Sequence, residues 1–407
     1  MRICLVSSGL EDANRRLQPW HYLFDMAGDL VREGHSICLI SDGNRAADPR
    51  ETVAGLPIVR LGSFRSRLVR SYSEAIQAVK DQGADIALWH LGLTSFTHLA
   101  PLQKVACPVI GVFTSPVYRP RELLRLGIGH LLCEHRLSAA HLLGLLVPGG
   151  ILRCPVDRHW IRGLLVECET THRRLSERGI PADRIQVRRP GIDPVWLRAV
   201  PSAAERARSR QEMGLAPEDF VVGYFGPPAT LRGLSRLLQA LSLLSSTQPS
   251  VRALILCRER GDRARTGESW VEDVAGRLGI GHRTHVVRGF LAQGDLRHAL
   301  AACDAIALPF EIVPSDVPLS VLETMALGLP LVTTSIACLP ELVPHGVGLI
   351  ITPGQPEVLA GAIHTLAQDP ALRGRLGVAA RRRAMAWHSM RDNEDGWTRL
   401  LNPELQR

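Results

Sequence analysis

Short apolar runs alternate with mixed, helix-compatible stretches along almost the whole chain. Runs at 3–6, 37–40, 58–60, 86–89 and 109–113 read as strands, and the stretches 20–33 and 71–82 as helices. The alternation continues with a strand at 163–167, a helix at 170–178 and a strand at 185–188. A second set covers 220–225, 254–257, 285–287, 305–308, 331–333 and 349–351, with one helix opening near Leu319 and another over 369–385. Strands separated by helices at this spacing predict parallel sheets with helices on both faces. Between the two sets, 201–217 is charged and Ala-rich and reads as a hinge.

A chain of 407 residues exceeds a single core and suits two domains of about 200 residues. The expected units are 1–200, 201–385 and a C-terminal segment, 386–407. The expected class is α/β, with two doubly wound, Rossmann-like domains facing each other across a cleft.

Composition narrows the field. With 45% hydrophobic and 22% charged residues the chain is globular. Its longest apolar stretch, 142–152, is interrupted by Gly144, Pro148, Gly149 and Gly150 and is too short to cross a bilayer. The opening Met1-Arg2-Ile3-Cys4-Leu5-Val6 runs straight into a strand without a secretory pattern, so a cytoplasmic location is expected. Nine cysteines without a Cys-x-x-Cys pair argue against a disulfide framework and a zinc site. The densest ligand-type cluster, His130, Cys133, His135 and His141, has spacings of five and six that do not share one helix face, so no metal is expected.

The net charge of +8 is uneven: residues 1–200 hold 26 Lys and Arg against 19 Asp and Glu, and 201–407 hold 22 against 21. With 5% aromatic residues and no recognisable module, nucleic acid is not an expected partner. An anionic acceptor or an acidic membrane surface accounts for the basic half, with Arg65, Arg67 and Arg70 in one loop and Arg119, Arg121 and Arg125 among Leu123, Leu124 and Leu126. A merely solvated Arg-rich surface accounts for it equally.

The segment 304–348 carries the most information. The apolar run 305–308 ends at Pro309; a loop follows; a helix opens near Leu319 and includes Glu323, and Gly328-Leu329-Pro330 closes it before a second apolar run. A loop feeding a helix N-terminus offers free backbone N–H groups, here those of Leu319 and Ser320, and a positive dipole end to a phosphate. Upstream, the first strand of the second set ends in Gly226-Pro227-Pro228-Ala229-Thr230-Leu231-Arg232-Gly233. These residues resemble the nucleotide-sugar site of retaining glycosyltransferases of the GT-B fold, family four (glycosyl transferases group 1).

The resemblance implies that Gly226 and Arg232 belong to the phosphate loop and that Glu323 accepts the ribose hydroxyls. It implies transfer of a sugar from a nucleoside diphosphate to an acceptor hydroxyl with retention, in glycoconjugate, polysaccharide or natural-product biosynthesis. No cofactor is implied, and no Asp-x-Asp metal signature occurs anywhere in the chain. The departing phosphate can itself take the acceptor's proton, so no protein base is demanded. Arg189-Pro190-Gly191-Ile192-Asp193 resembles the element closing the first domain, and 387–401 the segment that crosses back onto it.

Three positions depart from the family pattern. Pro227 stands where an Arg is usual, with Arg258 as a possible substitute. Ser315 stands where a Glu usually precedes Glu323 by eight residues, marking a divergent sub-branch, with Asp316 or Glu311 as the candidates to replace the carboxylate. Thr114 stands where a His is common, leaving His90 and His21 as alternatives beside the opening-loop Gly9 on the acceptor side. Catalysis is thus expected of Arg232 and Glu323, donor binding of these with Gly226, Arg258, Ser315, Asp316, Leu319 and Ser320, and acceptor binding of Gly9, His21, His90 and Thr114. The acceptor is expected to be a small molecule or lipid-linked, with peripheral contact at the inner membrane face; the oligomeric state is not legible. Two other readings share the pattern: a nucleotide-sugar epimerase of the same fold, and an inactive nucleotide-sugar-binding partner.

Overall fold

The computed structural model describes residues 1–43, 51–62, 72–125, 135–258, 264–392 and 401; Arg65, Arg67, Arg70, Leu126, His130 and Cys133 lie outside them. The first sheet contains β1 (Arg2–Val6), β2 (Ser36–Asp42), β3 (Thr52–Val53), β4 (Leu56–Leu61), β5 (Ile86–Leu91), β6 (Val109–Phe113), β7 (Gly163–Val166) and β8 (Ile185–Val187). Their spatial order is β3-β4-β2-β1-β5-β6-β7-β8, parallel throughout except for the short β3–β4 pair. The second sheet contains β9 (Phe220–Gly226), β10 (Val251–Cys257), β11 (Thr284–Arg288), β12 (Ala305–Leu308), β13 (Leu331–Thr334) and β14 (Leu349–Ile351), in the order β11-β10-β9-β12-β13-β14.

Central strands are buried on both faces because helices cover both: every residue of β6, β7, β9, β12 and β13 is buried. In each sheet the order reverses beside the first strand, between β1 and β5 and between β9 and β12. Such switch points open a crevice at the carboxyl ends of the strands, where ligands of doubly wound folds bind.

The expected hinge is instead a helix, Ala203–Glu212, bonded to the second sheet's domain. Ser202 and Glu205 cap it reciprocally, the Glu205 backbone N–H donating to Ser202 Oγ (3.2 Å) and the Ser202 N–H to Glu205 Oε2 (2.7 Å). Part of its charge is turned inward: Arg206 and Arg210 both pair with Asp304, at 3.1 and 2.6 Å, and Arg210 also donates to the carbonyls of Ala302, Pro217 and Asp219.

At the C-terminus a helix, Pro370–Asp392, packs on the second domain, and a Cβ at Gly377 would lie 2.4 Å from the Gly328 carbonyl oxygen. Near its end Trp387 is buried, donates its indole N–H to the Pro190 carbonyl (3.3 Å) and lies 5.1 Å under the Arg189 guanidinium. Leu401 is buried within the first domain's core, beside residues such as Ile3 and Leu5.

The two domains also meet through residues 313–317, between β12 and the helix Leu319–Ala326. The Tyr118 hydroxyl donates to the Val313 carbonyl (2.9 Å) and accepts from its N–H (2.7 Å). Asp316 donates its N–H to the Thr114 carbonyl (2.9 Å), and Val317 donates to Glu167 Oε2 (2.9 Å). Among the described residues no helix is long and apolar enough to cross a membrane.

Candidate active site

A cavity of about 290 Å³ lies between the domains at the β9 and β10 carboxyl ends. Gly226 ends β9 with φ +128°, and the Arg232 guanidinium stands where a side chain would begin, 2.9 Å from an ideal Cβ. Only glycine accepts both that backbone and that approach. Arg232 closes a turn by donating its N–H to the Ala229 carbonyl (3.0 Å), while the N–H groups of Glu311 and Ile312 fasten the Leu231 carbonyl (2.9 and 2.8 Å). The next residue, Gly233 (φ +79°), passes so close to β12 that a Cβ would lie 1.8 Å from the Pro309 carbonyl oxygen. The Arg232 guanidinium thus stacks on Phe310 (5.1 Å) and presents a buried Nε that has no hydrogen-bond partner. Arg258, whose N–H donates to the Gly226 carbonyl (3.0 Å), enters the same cavity from the end of β10.

The helix Leu319–Ala326 points its N-terminus into this space. Pro318 precedes it without a capping side chain, and Ser320 Oγ is buried without a partner. One turn on, Glu323 is the only carboxylate in the cavity wall among the described residues. Burial pushes its carboxyl up to about 7, reinforced by Asp193 and opposed by Arg258 and Arg232.

Of the residues singled out in the sequence, Gly226, Arg232, Arg258, Ser315, Leu319, Ser320 and Glu323 line this one cavity. Asp316 is a correction. It is fully buried outside the cavity, accepting from Thr171 Oγ1 (2.5 Å) and the Glu167 N–H (3.3 Å) in the domain interface. Glu311 is likewise taken up, paired with Arg236 at 2.8 Å, so neither replaces the carboxylate lost at Ser315.

The four acceptor-side residues do not line the cavity either. Gly9 donates to Asp42 Oδ1 (2.6 Å) and accepts from Asn14, beneath the Trp20 ring. His21 is partly buried beside Asp25 and Asp193, and desolvation lowers its pKa. His90 has both ring nitrogens engaged, with Ser7 Oγ and Thr114 Oγ1 at 2.8 Å each, and burial pushes it down to about 4. Thr114 is buried between His90 and the Asp316 N–H. His141 stands edge-on to Tyr118 (5.1 Å), and no group of three His, Cys, Asp or Glu among the described residues is placed to hold a metal.

Two parts of the wall were not legible. Arg16, Leu17, Gln18 and Trp20 cross from the first domain's opening loop, and Phe290, half exposed, stands with Gly289 and Leu291 beyond β11. Neither loop has a periodicity or spacing that shows which side chain turns inward; their only signal is their position after a strand's carboxyl end.

Residues 205–383 match the family model described as glycosyl transferases group 1. The D-inositol 3-phosphate glycosyltransferase of Streptomyces griseus is 30% identical over 214 residues, covering 51% of this chain and 44% of that protein. The protein of the same name from Thermobifida fusca is 26% identical over 220 residues, covering 53% and 49%. The chain thus spans about half the length of the curated relatives it matches. Among solved structures, sucrose-phosphate synthase from Thermosynechococcus elongatus superposes with a TM-score of 0.75 at 19% identity, over 98% of this chain and 99% of that one. Anabaena HepE, in complex with UDP and glucose, gives 0.68 at 18%, over 97% and 98%. The chain has the GT-B fold, and its second domain belongs to the group 1 glycosyltransferases.

Proposed function

We propose that the protein transfers a sugar from a nucleoside-diphosphate sugar to an acceptor hydroxyl, with retention and without a metal. One observation carries the reading: among the described residues, the charged side chains of the cavity wall are three arginines, Arg16, Arg232 and Arg258, against the single carboxylate of Glu323. That surplus matches the two negative charges of a nucleoside-diphosphate sugar, and the Leu319–Ala326 N-terminus adds backbone donors beside it. Fixed cations aimed at the diphosphate stabilise the charge that grows as the bond from anomeric carbon to phosphate oxygen breaks. The acceptor oxygen forms the new bond on the same face, and its proton passes to the departing phosphate. Glu323 accepts the ribose hydroxyls, and the exposed Phe290 ring offers a flat face to the base.

The acceptor, small or lipid-linked, enters from the first domain. There Leu124, Leu143 and Leu146 are 78%, 57% and 75% exposed, with Arg121 and Arg125 also exposed. This mixture suits peripheral attachment to an acidic membrane, on the cytoplasmic side where the donor pool would be met.

Thermal melting with a panel of nucleoside diphosphates and their sugars tests the donor site, since a ligand above its dissociation constant raises stability by mass action. A shift with at least one, followed by product only when acceptor is added, is expected. No shift with any of them overturns the reading, and conversion of donor without acceptor replaces it with epimerisation.

A further inference from the structure

We infer that Arg16, carried by the first domain, is a third fixed cation of the diphosphate site, joining Arg232 and Arg258 of the second domain across the cleft. The inference rests on the donor reading above and assigns one of its groups. In the turn itself Arg232 is the only cation, because Pro227 offers neither charge nor N–H. Arg16 reaches the same cavity from the other side of the cleft.

The loop holding it is fixed on both sides of the residue. Asn14 Nδ2 donates to the Gly9 carbonyl (2.7 Å), the Leu17 N–H to the Asn14 carbonyl (2.8 Å) and the His21 N–H to the Leu17 carbonyl (2.8 Å). The Trp20 indole N–H donates to the Ser8 carbonyl (2.7 Å), and Leu17 is buried. Gln18 Nε2 donates across the interface to the Val317 carbonyl (3.2 Å), next to the diphosphate helix. The backbone is pinned while the Arg16 side chain is exposed, and no ion pair to it occurs among the described residues. It shares the cavity with the guanidiniums of Arg232 and Arg258, an arrangement that favours an anionic ligand. Beside it Gln18 also lines the cavity, and its Oε1 is buried without a partner. A diphosphate bound here is therefore gripped from both domains.

Full-length Arg16→Ala, Arg16→Lys and Arg15→Ala are titrated calorimetrically with uridine, UMP and UDP and with guanosine, GMP and GDP, at two salt concentrations. Arg16→Ala is expected to weaken the diphosphate of the preferred base roughly ten- to a hundredfold, to leave the nucleoside unchanged and to reduce the salt dependence. Arg16→Lys recovers part of the loss, and Arg15→Ala, outside the cavity, changes nothing. Wild-type diphosphate affinity in Arg16→Ala while Arg232→Ala loses it overturns the inference and leaves the donor reading standing. Equal weakening of nucleoside and diphosphate also overturns it, since the residue would then only shape the loop. If Arg232→Ala and Glu323→Gln also bind as wild type, the donor reading itself fails.

Discussion

At the scale of single residues, Glu323 places stability and function in opposition. Its carboxyl is held up at about 7, above the ordinary value, so its contribution favours the folded state below about pH 4.5 and is lost as pH rises through 7. Glu323→Gln should therefore melt at a higher temperature than wild type at pH 8, with little difference near pH 5. The same substitution should weaken nucleotide binding by about 1.5–3 kcal/mol, one charge-assisted hydrogen bond. Calorimetry and titration on one protein check both signs, and a lower melting temperature at pH 8 would refute the burial argument. Arg232→Ala should abolish turnover, Arg232→Lys should keep an intermediate rate because a point charge replaces a planar fork, and chelator should leave the wild type active. Restoration of a chelated enzyme by magnesium or manganese would contradict the cationic site. Gly226 with Arg232, and Ser320 with Glu323, were legible because each pair lies in one strand–loop–helix unit that fixes its spacing, after β9 and after β12. Asp316 was misplaced because adjacency to Ser315 does not say which side of a loop each side chain takes. Arg16 escaped because nothing local distinguishes it from Arg15.

At the scale of elements, strand positions were readable to within a few residues, since buried parallel strands are nearly continuous apolar runs. The helix Ala203–Glu212 was read as a hinge because its partners are carbonyls and Asp304, which leave no apolar stripe; the Ser202–Glu205 capping pair was the available signal. The helix His135–Leu146 makes the opposite case, with Leu142 and Leu145 packed on the core and Leu143 and Leu146 turned outward. Leu143→Asp with Leu146→Asp should leave the melting temperature nearly unchanged, as exposed substitutions move stability by only about 0.5 kcal/mol. The same pair should remove co-sedimentation with acidic vesicles, which high salt should also weaken through Arg121 and Arg125. Equal recovery of both proteins with acidic vesicles would leave these leucines without that role.

For the whole molecule, the contact between domains is built on buried acids that sequence separation concealed: Glu167 and Asp316 stand 149 residues apart, yet the Glu167 N–H donates to Asp316 Oδ2 (3.3 Å). Burial raises both, Asp316 to about 7 and Glu167 well above the carboxylate range, with Asp316 adding to the rise at Glu167. Raised acids stabilise the folded chain at low pH, so the melting temperature should fall as pH rises from about 4 through 7 and Asp316 ionises. Asp316→Asn should flatten that fall; an unchanged slope would assign it elsewhere. Residues 313–317 are tied at Val313, Asp316 and Val317 to the first domain, and they cannot travel with their own sheet unless those bonds break. Leu319, which opens the phosphate cradle, begins two residues beyond this mooring. Any parting of the domains must therefore first cast off the bonds that lie beside the cradle.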